Sequence, residues 1–129
     1  ELLPIDLEMG DRRYRYEPVD RATPEEIYEK KWALTLVGHA VARLKSEYAA
    51  RGQGAQFDLL NAYLHREVSE ASHRLLAQRL GTTPGTVAVM ISRLRSRYQE
   101  RIRMEIGETL EDPSEIEAEY EHFLKAMGS

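Results

Sequence analysis

Between Ser72 and Met104 the chain sets seven arginines, Arg74, Arg79, Arg93, Arg95, Arg97, Arg101 and Arg103, against one acid, Glu100, so the stretch carries +6. It holds no lysine. The planar fork of a guanidinium matches phosphate or carboxylate oxygens two at a time, so the chemistry implied is anion recognition. A competing use lies close by. From Glu105 onward eight acids stand against Lys125, a segment charge of −7, and a basic helix face could pair with that tail. No catalytic constellation competes with these readings. His39, His65, His73 and His122 have no paired metal-ligand spacing, and there is neither an HExxH nor a phosphate-cradling glycine loop. Gly52-Gln53-Gly54 lacks the residues a nucleotide loop needs. No catalytic residue, metal or cofactor is expected, and the chain does not read as an enzyme.

The elements that position those arginines follow from composition and period. At 129 residues, 42% hydrophobic and 31% charged, the chain has the usage of one small globular domain with tails. It has no cysteine, hence no disulfide framework and no thiolate zinc site. No apolar run approaches a membrane span and no signal-peptide pattern opens the chain, so a cytoplasmic protein without membrane contact is expected. The chain opens on Glu1 rather than Met, where a domain boundary is expected. The net charge of −4 argues weakly against nucleic acid only until it is resolved along the chain.

Residues 1–22 lack a sustained period and read as an arm or linker, with Tyr14 and Tyr16 among Arg12, Arg13 and Arg15. Thr23-Pro24-Glu25-Glu26 is a helix start: an N-cap, a first-turn proline and a capping-box glutamate. Ile27, Leu34, Val37, Val41, Leu44 and Tyr48, widened by Trp32 and Leu36, predict an apolar stripe to about Ala50. A second helix is expected from about Gln56 to Leu64, a loop over 65–71, a third helix from Ser72 to Leu80 and a fourth from Pro84 to between Glu105 and Gly107. Asp112-Pro113-Ser114-Glu115 repeats the start signal for a last helix, whose apolar face would carry Ile116, Tyr120, Phe123, Leu124 and Met127. The fold class read here is all-α: a small helical bundle containing a helix-turn-helix, with an extended N-terminal arm and an acidic C-terminal helix. Its divisions are an arm over 1–22, a helical domain over 23–107 with the helix-turn-helix at about 72–104, and the acidic helix over 108–129.

The helix-turn-helix rests on Leu76, Ala77, Leu80, Gly81, Val87 and Met90. Ala77 is small enough for two helices to cross, Gly81 can leave a helix at positive φ without a Cβ penalty, and the other four would be buried between the helices. Thr83 before Pro84 caps the following helix.

Ser72 through Val87, followed by Ile91-Ser92-Arg93-Leu94-Arg95, resembles region 4 of bacterial sigma-70-type factors, the extracytoplasmic-function group above all. Arg12-Arg13-Tyr14 through Glu17-Pro18, Thr23-Pro24-Glu25 and Lys31 to Leu36 resemble the linker and first helix of such proteins. The resemblance covers most of residues 12–127. It implies a C-terminal half of a sigma factor that docks on the flap of the RNA polymerase core and reads a promoter −35-type element through its second hairpin helix, with an anti-sigma or other regulatory protein as a further partner.

Thr83, Thr86, Ser92 and Arg93 are the candidate base readers, because direct readout needs donors or acceptors at base edges. Arg95, Arg97 and Arg101 suit phosphates better. Ala88 and Val89 occupy outward positions where the family usually has a basic or polar residue. They leave open backbone-dominated binding, contact with thymine methyl groups, or a protein surface. Two alternatives therefore stand beside the promoter-reading domain: a helical protein-interaction module on the same scaffold, and an independent helix-turn-helix regulator. If about five arginines neutralise phosphates, log K should fall against log salt with a slope near −4.5. The acidic tail could also mask the arginine face.

Overall fold

The computed structural model describes residues 22–128, so the readings placed on Tyr14, Tyr16 and the rest of 1–21 lie outside the described residues. Every regular element among the described residues is helical: α1 (Pro24–Ala50), α2 (Gly54–Leu60), a 3-10 turn (Asn61–Tyr63), α3 (Glu70–Leu80), α4 (Pro84–Gly107), a second 3-10 turn (Pro113–Glu115) and α5 (Ile116–Gly128). None of these helices is long and apolar enough to cross a membrane.

The α1 start forms as its residues require. Thr23 Oγ1 accepts from the Glu26 amide at 3.1 Å, and Glu26 Oε1 accepts from the Thr23 amide at 2.9 Å. Its buried face differs from the expected stripe. Ala33, Leu36, Ala40, Leu44 and Tyr48 are buried, whereas Ile27 and Leu34 are 45% and 47% exposed. The wholly buried Ala33 and Ala40 are small enough to let a neighbouring backbone approach, and close approach decides the inward face over side-chain size. Val37 and Val41 pack at its margin.

Other boundaries move, and the second helix begins at Gly54 rather than about Gln56. The second helix ends at Leu60 and tightens into the 3-10 turn, leaving Leu64 half-buried, while α3 begins two residues earlier than expected. The cause of the α3 shift is Ser69, whose side chain accepts from the Ser72 amide at 3.0 Å and caps the helix ahead of Glu70.

Helices α1 and α4 are the antiparallel centre of the molecule. His39 and Arg43 meet Glu105, Glu47 meets Arg101, and Tyr48 meets Arg97, so the register falls along α4 as it rises along α1. Val87, Ile91, Leu94, Tyr98, Ile102 and Ile106 give α4 one buried stripe along its whole length. The first turns of α1 run past the end of α4, and α5 covers them: Trp32 packs on Phe123 edge-on, and Lys30 Nζ donates to the carbonyls of Ala126 and Met127 at 3.4 and 3.2 Å. Tyr120 and Phe123 are buried as expected, but Leu124 is half exposed and Ala126 takes its place inside. At the opposite end the first turns of α4 run past α1, and α3 packs on them.

Candidate functional site

The junction of α3 and α4 is closed by Gly81, Thr82 and Thr83. Gly81 adopts the left-handed conformation, φ 68° and ψ 37°, and the Thr82 amide donates to the Ala77 carbonyl at 2.9 Å, satisfying an end carbonyl of α3. Leu76, Ala77 and Val87 are buried at the crossing, with Leu80 and Met90 half-buried against them. Thr83 then caps α4: its Oγ1 accepts from the Thr86 amide at 3.2 Å and donates to Thr86 Oγ1 at 3.0 Å.

That cap changes what the two threonines can offer. The Thr83 proton is engaged on Thr86 Oγ1, so Thr83 has no hydroxyl proton to donate outward. Along the outer face of α4, Thr86, Val89, Ser92, Arg93 and Ser96 follow at helical spacing and all are exposed, Val89 by 48%. Ala88 lies beside them, at the edge of an open cleft of about 490 Å³ between α3, α4 and the 67–68 segment, which Glu67, His73, Ser92 and Arg95 also line.

The arginines divide into two sets. Arg74, Arg79 and Arg93 are exposed and form no ion pair or hydrogen bond with the described residues. The other four are engaged within the molecule. Arg95 donates from Nε and Nη2 to the Tyr63 carbonyl at 3.0 and 2.8 Å and from Nη2 to the Arg66 carbonyl, tying the 61–66 segment to α4. Arg97 Nη1 donates to the Tyr48 hydroxyl at 2.8 Å. Arg101 forms a fork on Glu47, with Nε and Nη2 each 2.9 Å from a carboxylate oxygen. Arg103 donates to Glu117 at 2.8 Å and lies over the Tyr120 ring, 4.0 Å from its centroid. Of the expected phosphate contacts, Arg95 and Arg101 thus hold the fold together. Of the candidate readers, Thr86, Ser92 and Arg93 share the outer face of α4.

Electrostatics follow these contacts. The hydrogen bonds from Arg101 hold the Glu47 carboxyl below the usual carboxylate range. Tyr98 is buried, which pushes its phenol well up, and its hydroxyl lies 2.7 Å from His65 Nε2. His65 keeps one side in solvent, yet its ring sits edge-on to Tyr98. Burial of the ring, with a smaller contribution from the charge of Arg95, lowers its pKa.

Among the described residues the tail meets the arginines of the +6 block at Arg103, through Glu117 and the Tyr120 ring, because α5 packs on α1 and on the C-terminal part of α4, away from the Gly81 turn. Sequence reasoning missed Glu47, Tyr48 and the carbonyls of Tyr63 and Arg66 as arginine partners. They lie between 29 and 54 positions away, beyond the reach of any local pattern. No protein-family model, curated protein or solved structure matches this chain.

Proposed function

We propose that this chain is a DNA-binding domain that uses α3 and α4 as a helix-turn-helix and acts in transcription initiation. It would resemble sigma region 4 in reading a promoter −35-type element while docked on the RNA polymerase core. One observation carries the reading. A hairpin with a left-handed glycine turn presents the outer face of α4, and Arg74, Arg79 and Arg93, which have no ion pair or hydrogen bond with the described residues, lie on that same hairpin. In this reading Thr86, Ser92 and Arg93 face base edges, Arg74 and Arg79 meet the backbone, and Thr83 acts by fixing the first turn of α4. Arg95 and Arg101 hold the scaffold.

A second reading has its own support. Val89 in the centre of the outer face of α4 and Leu75 on α3, 56% exposed, give the hairpin apolar character that suits a protein partner, such as polymerase or a regulator. A salt series with promoter-like and scrambled duplexes separates the two. Arg74 and Arg79 on the backbone predict a slope of about −1.8 for the hairpin alone. Absence of binding to any duplex at low salt would overturn the DNA reading in favour of the interaction module. Equal affinity for all sequences would leave backbone binding and remove promoter reading by this chain alone.

A further inference from the structure

Away from the Gly81 turn, two guanidiniums share one aromatic ring. Arg51, the residue that caps the C-terminus of α1, lies with its guanidinium carbon 5.7 Å from the centroid of Tyr48, and that of Arg97 lies 5.4 Å from the same centroid. Tyr48 is 1% exposed, so the ring is a fixed platform. Its hydroxyl accepts one N–H of Arg97, which fixes the direction of that side chain. A guanidinium has five N–H donors. Arg97 therefore keeps most of its own, and the Arg51 guanidinium forms no hydrogen bond with the described residues. Glu47, which also feels the charge of Arg51 and Arg43, is already held through both oxygens by Arg101. Arg93 stands one helical turn before Arg97 on the neighbouring stripe of α4 and is exposed. Because α1 and α4 are antiparallel, the C-terminus of α1 falls in the half of the molecule that carries the Gly81 turn.

From this arrangement we infer that Arg51 and Arg97, aligned by Tyr48 and one helical turn beyond Arg93, form a second phosphate-binding point. Resting on the proposed DNA-binding function, it would grip the sugar–phosphate backbone beside the segment that α4 reads. Like other backbone contacts it fixes register and carries no sequence information. It raises the number of phosphates engaged from two to about four, and with it the expected salt slope from about −1.8 to about −3.6. The competing account is purely internal: Arg51 would serve only as a cation at the negative end of α1.

The test uses the full chain. Salt titrations against two unrelated duplexes are run for the wild type, for Arg51→Gln and for Lys31→Gln, which removes one charge from the far, exposed end of α1. In parallel, inorganic pyrophosphate is titrated while the arginine Nε–H resonances are followed by NMR. The expected result is a slope flatter by about 0.9 for Arg51→Gln on both duplexes alike, no change for Lys31→Gln, and pyrophosphate shifts at Arg51 and Arg97. A wild type that binds duplex with a slope left unchanged by Arg51→Gln, or flattened equally by Lys31→Gln, overturns the second point and leaves the DNA reading standing. If the wild type binds no duplex, the DNA reading fails. The site is then judged by pyrophosphate alone: shifts at both arginines keep a phosphate site, and their absence removes it.

Discussion

Adding the same methyl group to two glycines should move stability in opposite directions. Gly81 holds φ 68°, and a Cβ built on it meets no heavy atom within 4 Å, so Gly81→Ala carries no packing term. The cost is that of forcing an L-residue into the left-handed region, about 1–2 kcal/mol, offset in part by the lower entropy of the unfolded chain, about 0.4–1 kcal/mol. A net loss of about 1 kcal/mol follows. Gly38, within α1 and exposed, also has nothing within 4 Å of a built Cβ and an ordinary helical φ, so Gly38→Ala gains helix propensity of about 0.8–1.0 kcal/mol. In a domain of this size each change moves the melting temperature by about 4 °C, downward for Gly81 and upward for Gly38. Urea unfolding read by circular dichroism gives both numbers, with an unchanged m-value showing that stability alone has moved. A Gly81→Ala protein as stable as the wild type would refute the left-handed turn as the device that closes the hairpin.

Glu47→Gln should cost about 1 kcal/mol by loosening the Arg101 fork, measured as a shift in urea midpoint. Because the Glu47 carboxyl is held low in the folded state, its contribution is present above the ordinary carboxylate range and lost as pH falls through the folded value, an acid loss the variant should lack. The depressed His65 pKa gives a separate window: the unfolded chain takes up a proton first, so stability should decline as pH falls through the ordinary imidazole value of about 6.5 toward the lower folded one, and His65→Gln should flatten that decline. Phe123→Ala should destabilise by about 3–5 kcal/mol in thermal melts, because its ring is buried under α1. Glu117→Gln, by contrast, should leave duplex affinity within about twofold of the wild type in a titration at fixed salt, since it frees only Arg103. A large gain would restore the masking idea.

What could be read from the sequence divides along a physical line. Local signals held: Thr23, Thr83 and Asp112 each cap the helix or turn that follows, and Gly81 turns where a left-handed residue was needed. These depend on atoms three or four residues apart, so spacing is sufficient. The inward face of α1 did not follow from spacing, because Ile27 and Leu34 look like core until Ala33 and Ala40 bring the neighbouring helices close. The same holds for charge. The +6 block reads as one surface, yet four of its seven arginines find partners in other segments, and only tertiary structure separates Arg93 from Arg95.

The contact between Lys30 and the carbonyls of Ala126 and Met127 bears on how the chain is made. The partners are 96 and 97 residues apart, and burial there lowers the pKa of the lysine. A chain emerging at about 5–20 residues per second completes α1 several seconds before α5 exists. Through that interval Trp32 lacks the Phe123 ring, while the α1–α4 pair can already close behind it. Helix α5, made after α1 and α4, therefore seals the first turns of α1, and ribosome-bound chains stopped before α5 would leave Trp32 open to chaperones.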